Sequence, residues 1–463
     1  MDTSKAAIDN VYQSHQTADV LPLKERLGLL KQLQQTVLLQ QEAIAQALHQ
    51  DLRKHPTEVL ITEIFPLINE LKHTRRHLKS WVKPKPVAND LLNFGAKTSL
   101  YYEPKGSCLI ISPWNYPFQL PLLHLVSSVA AGNRTIIKPS EFTPHTNRIL
   151  KALVQAVFPK EWVAVIEGDV ETTTYLLTKK FDHIHFTGSP AVGKIIMAAA
   201  ARHLASCTLE LGGKSPAIID DKISVDEAAQ KLVFGKFINL GQTCIAPDYV
   251  LVPAGRKEAF VTAMVAAIGK AFGADIRAND NLSRIINAKN YHRLMGYIQS
   301  AQAAGATLHC GGNGVAEDLY VAPTVISDLP TDHPLLEEEI FGPILPIVTY
   351  NGVAEASAFI TQRPKPLAMY LFTHQSKWEA YFKQKTSSGA LVVNETMIHM
   401  THPNLPFGGV NHSGIGQSTG YFGFKDFTHE KPVLVANRLM SMSTLVGFPY
   451  RNRISRFLEW WIK

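Results

Sequence analysis

FDHIHFTGSPAVGK, residues 181–194, runs from an alternating apolar segment through a glycine turn into a helical pattern. A strand that feeds a helix through a short turn is the repeating unit of a parallel sheet. The spacing Gly188 to Gly193-Lys194 imitates a phosphate-binding loop, yet Ile195 stands where Ser or Thr would hold magnesium. Kinase and ATPase chemistry are therefore disfavoured, while backbone amides at the helix start remain suited to a pyrophosphate. No GxGxxG fingerprint accompanies it, so an ordinary dinucleotide fold lacks its usual signature.

Similar units lie on both sides. CLIISPW, RTIIKPS, WVAVIEG and PAIID are short apolar runs separated by helical patterns, and DYVLVP, LPIVTY, MYLFTH and ALVVN form a second series between about 225 and 393. The expectation is α/β architecture with two lobes. Upstream, Leu27, Leu30, Leu33, Val37, Leu38, Ile44 and Leu48 recur at helical spacing, which predicts a helical hairpin or long helix from Pro22 to Leu52. At the other end, RNRISRFLEWWIK places Ile454, Phe457, Leu458 and Trp461 on one helical face. That face suits packing on its own protein or a partner subunit, or contact with a membrane surface.

The chain has 463 residues, 46% of them hydrophobic, which is enough for two or three cored domains. Its net charge of +7 comes from 46 Lys and Arg against 39 Asp and Glu, spread without a basic cluster. Nucleic acid is not an expected partner. Four cysteines without a CxxC pair point to a reducing compartment, and MDTSKAAIDN lacks the apolar run of a signal peptide. A cytoplasmic location follows as the expectation. The apolar stretch 109–132 is interrupted by Asn115, His124 and three prolines, so no spanning helix is expected there.

His183 with His185, and His399 with His402, have ligand-like spacings, but neither pair has a third ligand nearby in sequence. Packing or surface roles are the expectation, with no metal site. GxSxG and HExxH are absent, which removes the best signals for a serine hydrolase and a zinc protease.

Cys244 differs from the other cysteines. It follows the polar glycine turn Asn239-Leu-Gly-Gln-Thr243 after the apolar run AAQKLVFGKF. A thiol attacking a carbonyl creates an oxyanion that needs donors, and a resulting thioester needs a base to activate water. Asn115, in the proline-bracketed turn PWNYPF after a strand, supplies a donor. Glu210, at an apolar strand end in LELGGKSP, supplies a carboxylate whose partial burial would raise its pKa toward a useful value.

In order along the chain, PWNYPF, TIIKPSE, FTGSPAVGK, LELGGKSP, GQTCIAPDY, EEIFGPILP, LPFGGV and SGIG make it resemble the aldehyde dehydrogenases, specifically the dimeric class 3 branch with the fatty aldehyde and coniferyl aldehyde enzymes. The resemblance covers essentially the whole chain. It implies Cys244 as nucleophile, Asn115 with the Cys244 amide as oxyanion donors, and Glu210 as base for deacylation. It also implies NAD, with NADP tolerated, bound by Lys138 and Glu141 at the adenosine ribose, by Gly188, Ser189 and Gly193 at the pyrophosphate, and by Glu339 and Phe341 at the nicotinamide ribose.

The implied fold is a Rossmann-like NAD-binding domain (1–98 and 107–211), a catalytic domain (212–400), a small β dimerisation arm (99–106 and 416–437) and a tail (438–463) with a short amphipathic helix. Tyr116 and Ile245 are expected in the substrate pocket, whose apolar flanks suit medium or long aliphatic aldehydes, or aromatic ones such as coniferyl aldehyde. Pro190 and Asn411 depart from residues common in relatives and put local loop shape in question. A coenzyme A-acylating enzyme usually lacks the carboxylate at Glu210, so a free acid product is favoured. Ester cleavage remains as a side activity, and a catalytically silent binding relative remains as the reading from another class.

Overall fold

The structure, a computed structural model, describes residues 5–17, 20–90, 93, 95–437, 447–450 and 452–462. Two open α/β sheets organise the described residues. The first runs in the order Gly414–Ile415, Ser206–Leu211, His183–Gly188, Ser107–Ile111, Arg134–Lys138, Val163–Val165, and only the Gly414–Ile415 edge is antiparallel. Ser107–Ile111 is buried at all five positions, as expected for a strand covered by helices on both faces.

Chain order explains where a ligand can sit. From Ser107–Ile111 the chain steps outward through Arg134–Lys138 to Val163–Val165, then returns to the opposite side of the first strand at His183–Gly188. That reversal is a topological switch point, which opens a crevice beyond the carboxyl ends of Ser107–Ile111 and its neighbours. The turn containing Asn115 and the turn at Ser189 both leave from this edge.

The second sheet has the order Thr307–Cys310, Thr324–Ser327, Ile344–Tyr350, Tyr249–Pro253, Pro216–Ile219, Ala368–Phe372, Ala390–Val393, parallel except at Thr307–Cys310. Each lobe carries its own buried apolar clusters. A third, antiparallel sheet joins Lys85–Pro86, Lys97–Pro104 and Thr428–Val435. Val433, Leu434 and Val435 are exposed on its edge strand. Helix Gly420–Asp426 does not lie in this sheet but packs on Phe65–Trp81 and Gln119–Ala131.

The hairpin expected from Pro22 to Leu52 is a pair of helices, Leu23–Leu39 and Gln41–Leu52, broken at Gln40. Leu30, Leu33, Val37, Ile44 and Leu48 are fully buried, whereas Leu38 is exposed. Leu38 lies one step off the face that Leu30, Leu33 and Val37 define, which the apolar pattern alone did not exclude. The terminal helix spans Asn452–Ile462. Residues 438–446 of the expected tail, and the side chains of Ile454, Phe457 and Leu458, lie outside the described residues, while Trp461 is exposed. Among the described residues, no helix is long and apolar enough to cross a membrane.

Candidate active site

The sequence preceding Cys244 folds into an unusual turn. Asn239, Leu240 and Gly241 have φ of 48°, 51° and 75°, three successive left-handed residues. Such backbone costs free energy and persists only where its surroundings over-determine it. Here the surroundings are hydrogen bonds. The Asn239 amide donates to Glu58 Oε1 at 3.0 Å, and Asn239 Nδ2 donates to the carbonyls of Asn115 (2.9 Å) and Gln242 (3.1 Å). Gln242 is fixed in turn by the Arg284 carbonyl and the Ile286 amide. At Gly241 a Cβ would collide with the Gly342 carbonyl, so glycine is required on two grounds.

Asn115 belongs to the same network. Its Nδ2 donates to the Gln242 carbonyl at 3.0 Å, which aims the amide toward the Cys244 segment. Its own carbonyl accepts from Lys54 Nζ at 2.8 Å, and that ammonium pairs with Glu63 Oε1 at 2.6 Å. Both charged side chains are completely buried. Glu63 also accepts from the Phe118 and Gln119 amides at the start of helix Gln119–Ala131, where negative charge is favoured. A π-helical turn, Leu60–Ile64, shifts the local helical phase so that both Glu58 and Glu63 face inward. Nothing in the sequence marks these charges as interior. Replacing Lys54 with Met leaves Glu63 buried without its partner, and we expect a loss of about 3–5 kcal/mol in unfolding free energy. A denaturant midpoint within error of wild type would refute this.

Two cavities meet at the thiol. A cleft of about 610 Å³ extends from Gly188 and Ser189 past Glu339 and Phe341, and a narrow cavity of about 30 Å³ lies toward Tyr116 and Ile245. Cys244, Glu210 and Thr187 line both. Burial pushes the Cys244 thiol well above its ordinary pKa, and the carboxylates of Glu339 and Glu210 push in the same direction. Glu210 is pushed up to about 8, chiefly by burial; the Ser418 hydroxyl, which donates to Oε1, opposes the shift, and Asp426 adds to it. Ser418 was not legible as a site residue, because it arrives from a segment more than 200 positions away.

The larger cleft has features that suit a dinucleotide. Gly188 closes its strand, and Ser189 caps helix Pro190–Ala201, its Oγ accepting from the Val192 amide at 3.4 Å. Pro190 takes the first helical position, where a missing N–H costs nothing. Gly193 lies against Leu211, leaving no room for a side chain. Glu339 is half-buried, with a raised pKa caused first by burial, and its Oε1 has no hydrogen-bond partner. An unpaired carboxylate oxygen in a cleft fits a ribose hydroxyl donor. Phe341 holds φ of 48° and meets Trp114 edge-on at 5.3 Å, bringing aromatic surface to one wall. Lys138, buried at the end of its strand, pairs with Glu141 at 3.3 Å, two strands across from Gly188. Asn411 adopts φ of 58°, a conformation asparagine tolerates better than most residues, and accepts from Lys365 at 2.9 Å.

Tyr116 is buried with its hydroxyl 2.7 Å from Thr243 Oγ1, and Ile245 is buried next to Cys244, its carbonyl accepting from Tyr370. Of the histidines, His183 is bonded to Ser206 and Thr208, and His402 accepts from the Asn404 amide. His185 has a setting that sequence spacing did not reveal. His124 packs against it at a tilt from a helix and Glu210 lies on the next strand, so third ligands absent from the local sequence are supplied by the fold.

Comparisons with known proteins agree with this geometry. A family profile described as "Aldehyde dehydrogenase family" matches residues 2–433. The chain is 42% identical over 420 residues to the 4,4'-diaponeurosporen-aldehyde dehydrogenase of Staphylococcus aureus, covering 91% of this chain and 90% of that protein. It is 37% identical over 435 residues to the dimeric NADP-preferring aldehyde dehydrogenase of Mus musculus, covering 94% and 95%. Among solved structures, the substrate-bound state of Staphylococcus aureus AldH superposes with a TM-score of 0.94 at 39% identity, over 98% of this chain and 99% of that one.

Proposed function

The chain belongs to the aldehyde dehydrogenase family and is an oxidoreductase, and from that premise we propose that it oxidises an apolar aldehyde to the carboxylic acid with NAD, and also with NADP. The single observation that carries the reading is the position of Cys244 and Glu210 on the wall shared by both cavities. An aldehyde approaching from the narrow side, whose apolar walls part to admit its chain, and a dinucleotide in the larger cleft then meet at one thiol. Cys244 gives up its S–H proton to solvent, Sγ bonds to the carbonyl carbon as the C=O π bond opens onto oxygen, and the oxyanion is met by Asn115 Nδ2 and the Cys244 amide. The oxidised nicotinamide supplies the acceptor for the hydride leaving that carbon, so a thioester remains on Cys244. Glu210 removes a proton from water, the water oxygen bonds to the acyl carbon, and the C–S bond breaks to free the acid.

The narrow cavity supports the apolar substrate class, since Tyr116, Leu120, Leu123, Ile245, Met400 and Phe407 line it. Each buried methylene is worth about 0.8 kcal/mol, so kcat/KM should climb roughly fourfold per carbon from acetaldehyde until the cavity fills. Reduced-cofactor absorbance across a series to decanal, together with coniferyl aldehyde, measures this. A flat or falling profile would remove the apolar assignment. Glu141 would face a 2′-phosphate and repel it, which favours NAD, while a related mouse enzyme is named NADP-preferring. The ratio of kcat/KM values for the two cofactors decides the preference.

The exposed edge Thr428–Val435 supports a homodimer, because an unpaired apolar edge strand invites pairing. Sedimentation of wild type and Leu434→Lys at equal concentration should show a dimer only for the former. Exposed Trp461 and Ile462 on the terminal helix support peripheral contact with a membrane from the cytoplasmic side. Liposome flotation equal for the full chain and one truncated after residue 446 would discard that contact.

A further inference from the structure

His124, on helix Gln119–Ala131, and His185, on strand His183–Gly188, are 1% and 0% exposed. Among the described residues, all four of their ring nitrogens lack hydrogen-bond partners. The rings lie against each other at a tilt of 34°, with centroids 3.7 Å apart. Buried polar atoms are normally paired, so four orphan nitrogens in one place require an explanation. Two phenylalanines would fill the same volume without leaving any nitrogen bare.

The third member is Glu210, which lies beside Thr187 in the strand register and adjoins both rings. One ligand atom from each of His124, His185 and Glu210 lies within 4.8 Å of the other two. Ser418 engages Glu210 Oε1, and Oε2 carries no hydrogen bond. We propose that these three side chains form a binding site for a divalent transition-metal ion of the zinc type, and that an ion there arrests the enzyme by occupying its general base. The second clause rests on the role given to Glu210 above.

Two imidazoles and a carboxylate are a borderline donor set that selects such ions over magnesium or calcium. Around a tetrahedral ion with bonds of about 2.0–2.1 Å the ligand atoms stand about 3.4 Å apart, so each need move inward by at most about an ångström. Glu210 lines both cavities and His124 lines the narrow one, which gives an ion a path in. The narrow cavity, about 30 Å³, has room for one water-sized fourth ligand. The overlapping group His183, His185 and Asp426 is a poorer candidate. There His183 is already bonded to Ser206 and Thr208 and paired with Asp426 at 3.7 Å.

The test separates the site from the nearby thiol. In full-length Cys244→Ala protein stripped with chelator, calorimetric titration with ZnCl₂ should show one ion per chain. Adding His185→Phe should weaken that binding at least tenfold, and His185→Asn provides a second variant if the first does not fold. Co²⁺ in the same protein should give the visible d–d absorption of a low-coordinate site, and His185→Phe should lose it. In wild-type enzyme, Zn²⁺ should leave the first equivalent of reduced cofactor intact while lowering steady turnover at least tenfold, and EDTA should restore it. Zinc binding undiminished by both His185 variants overturns the site. Binding that depends on His185 but abolishes the first equivalent as well supports the site and refutes the deacylation role of Glu210.

Discussion

Cys244→Ala protein should form no reduced cofactor with any aldehyde, a fall of at least about four orders of magnitude, the scale on which removal of a covalent nucleophile is felt. The variant should fold and bind dinucleotide normally, because the change deletes one sulfur from a half-buried position and touches none of the hydrogen bonds that shape the turn. What makes Cys244 suitable is its place rather than a lowered pKa. Burial pushes the thiol well above its ordinary pKa, and Glu339 and Glu210 push the same way once they ionise. Under the proposed mechanism the thiol has to gain its reactivity in the complex with cofactor and aldehyde. Residual turnover above about 1% of wild type would show that another group carries the chemistry.

Glu210→Gln should divide the reaction in two. Acyl transfer to the thiol needs no water, so a burst close to one equivalent of reduced cofactor per site is expected. Steady turnover should then drop by roughly 10²–10⁴-fold, the usual contribution of a positioned general base. Stopped-flow absorbance reads both phases, and a variant that loses the burst in proportion to turnover would contradict the assignment. The pH profile gives a second reading. Because Glu210 is pushed up to about 8 and acts only when deprotonated, wild-type turnover should rise as pH increases through that value. The rise should be missing in Glu210→Gln.

Much of this was visible in the sequence. Strands such as CLIIS and HIHFTG were legible because parallel strands covered on both faces read as short continuous apolar runs between helical patterns. Cys244, Glu210 and Asn115 were legible because their chemistry constrains one another and each sits at a strand end or a glycine turn. The fold brings Asn115 and Glu210 to the cleft that Cys244 lines. Lys54, Glu58 and Glu63 were not legible, since charged residues at helical spacing ordinarily face water and only the π-helical turn directs the two carboxylates inward. Ser418 and the pairing of His124 with His185 depend on contacts across distant segments, which no local pattern encodes. Leu38 failed in the opposite direction, as an apolar residue that the helix leaves exposed.

The strand Gly414–Ile415 pairs with the one carrying Glu210, Ser418 bonds that carboxylate, and ten residues later the same chain becomes the outer strand Thr428–Val435. If the outer strand makes the proposed dimer contact, assembly and the proposed deacylation step are coupled through this segment, and such linkage is reciprocal. Pairing that immobilises the outer strand would then also hold the Ser418 hydroxyl on Glu210, and displacing that hydroxyl would weaken the pairing by the same factor. Dilution should then slow the steady rate per site while sparing the first turnover, and a specific rate independent of protein concentration across the dissociation range would break the link.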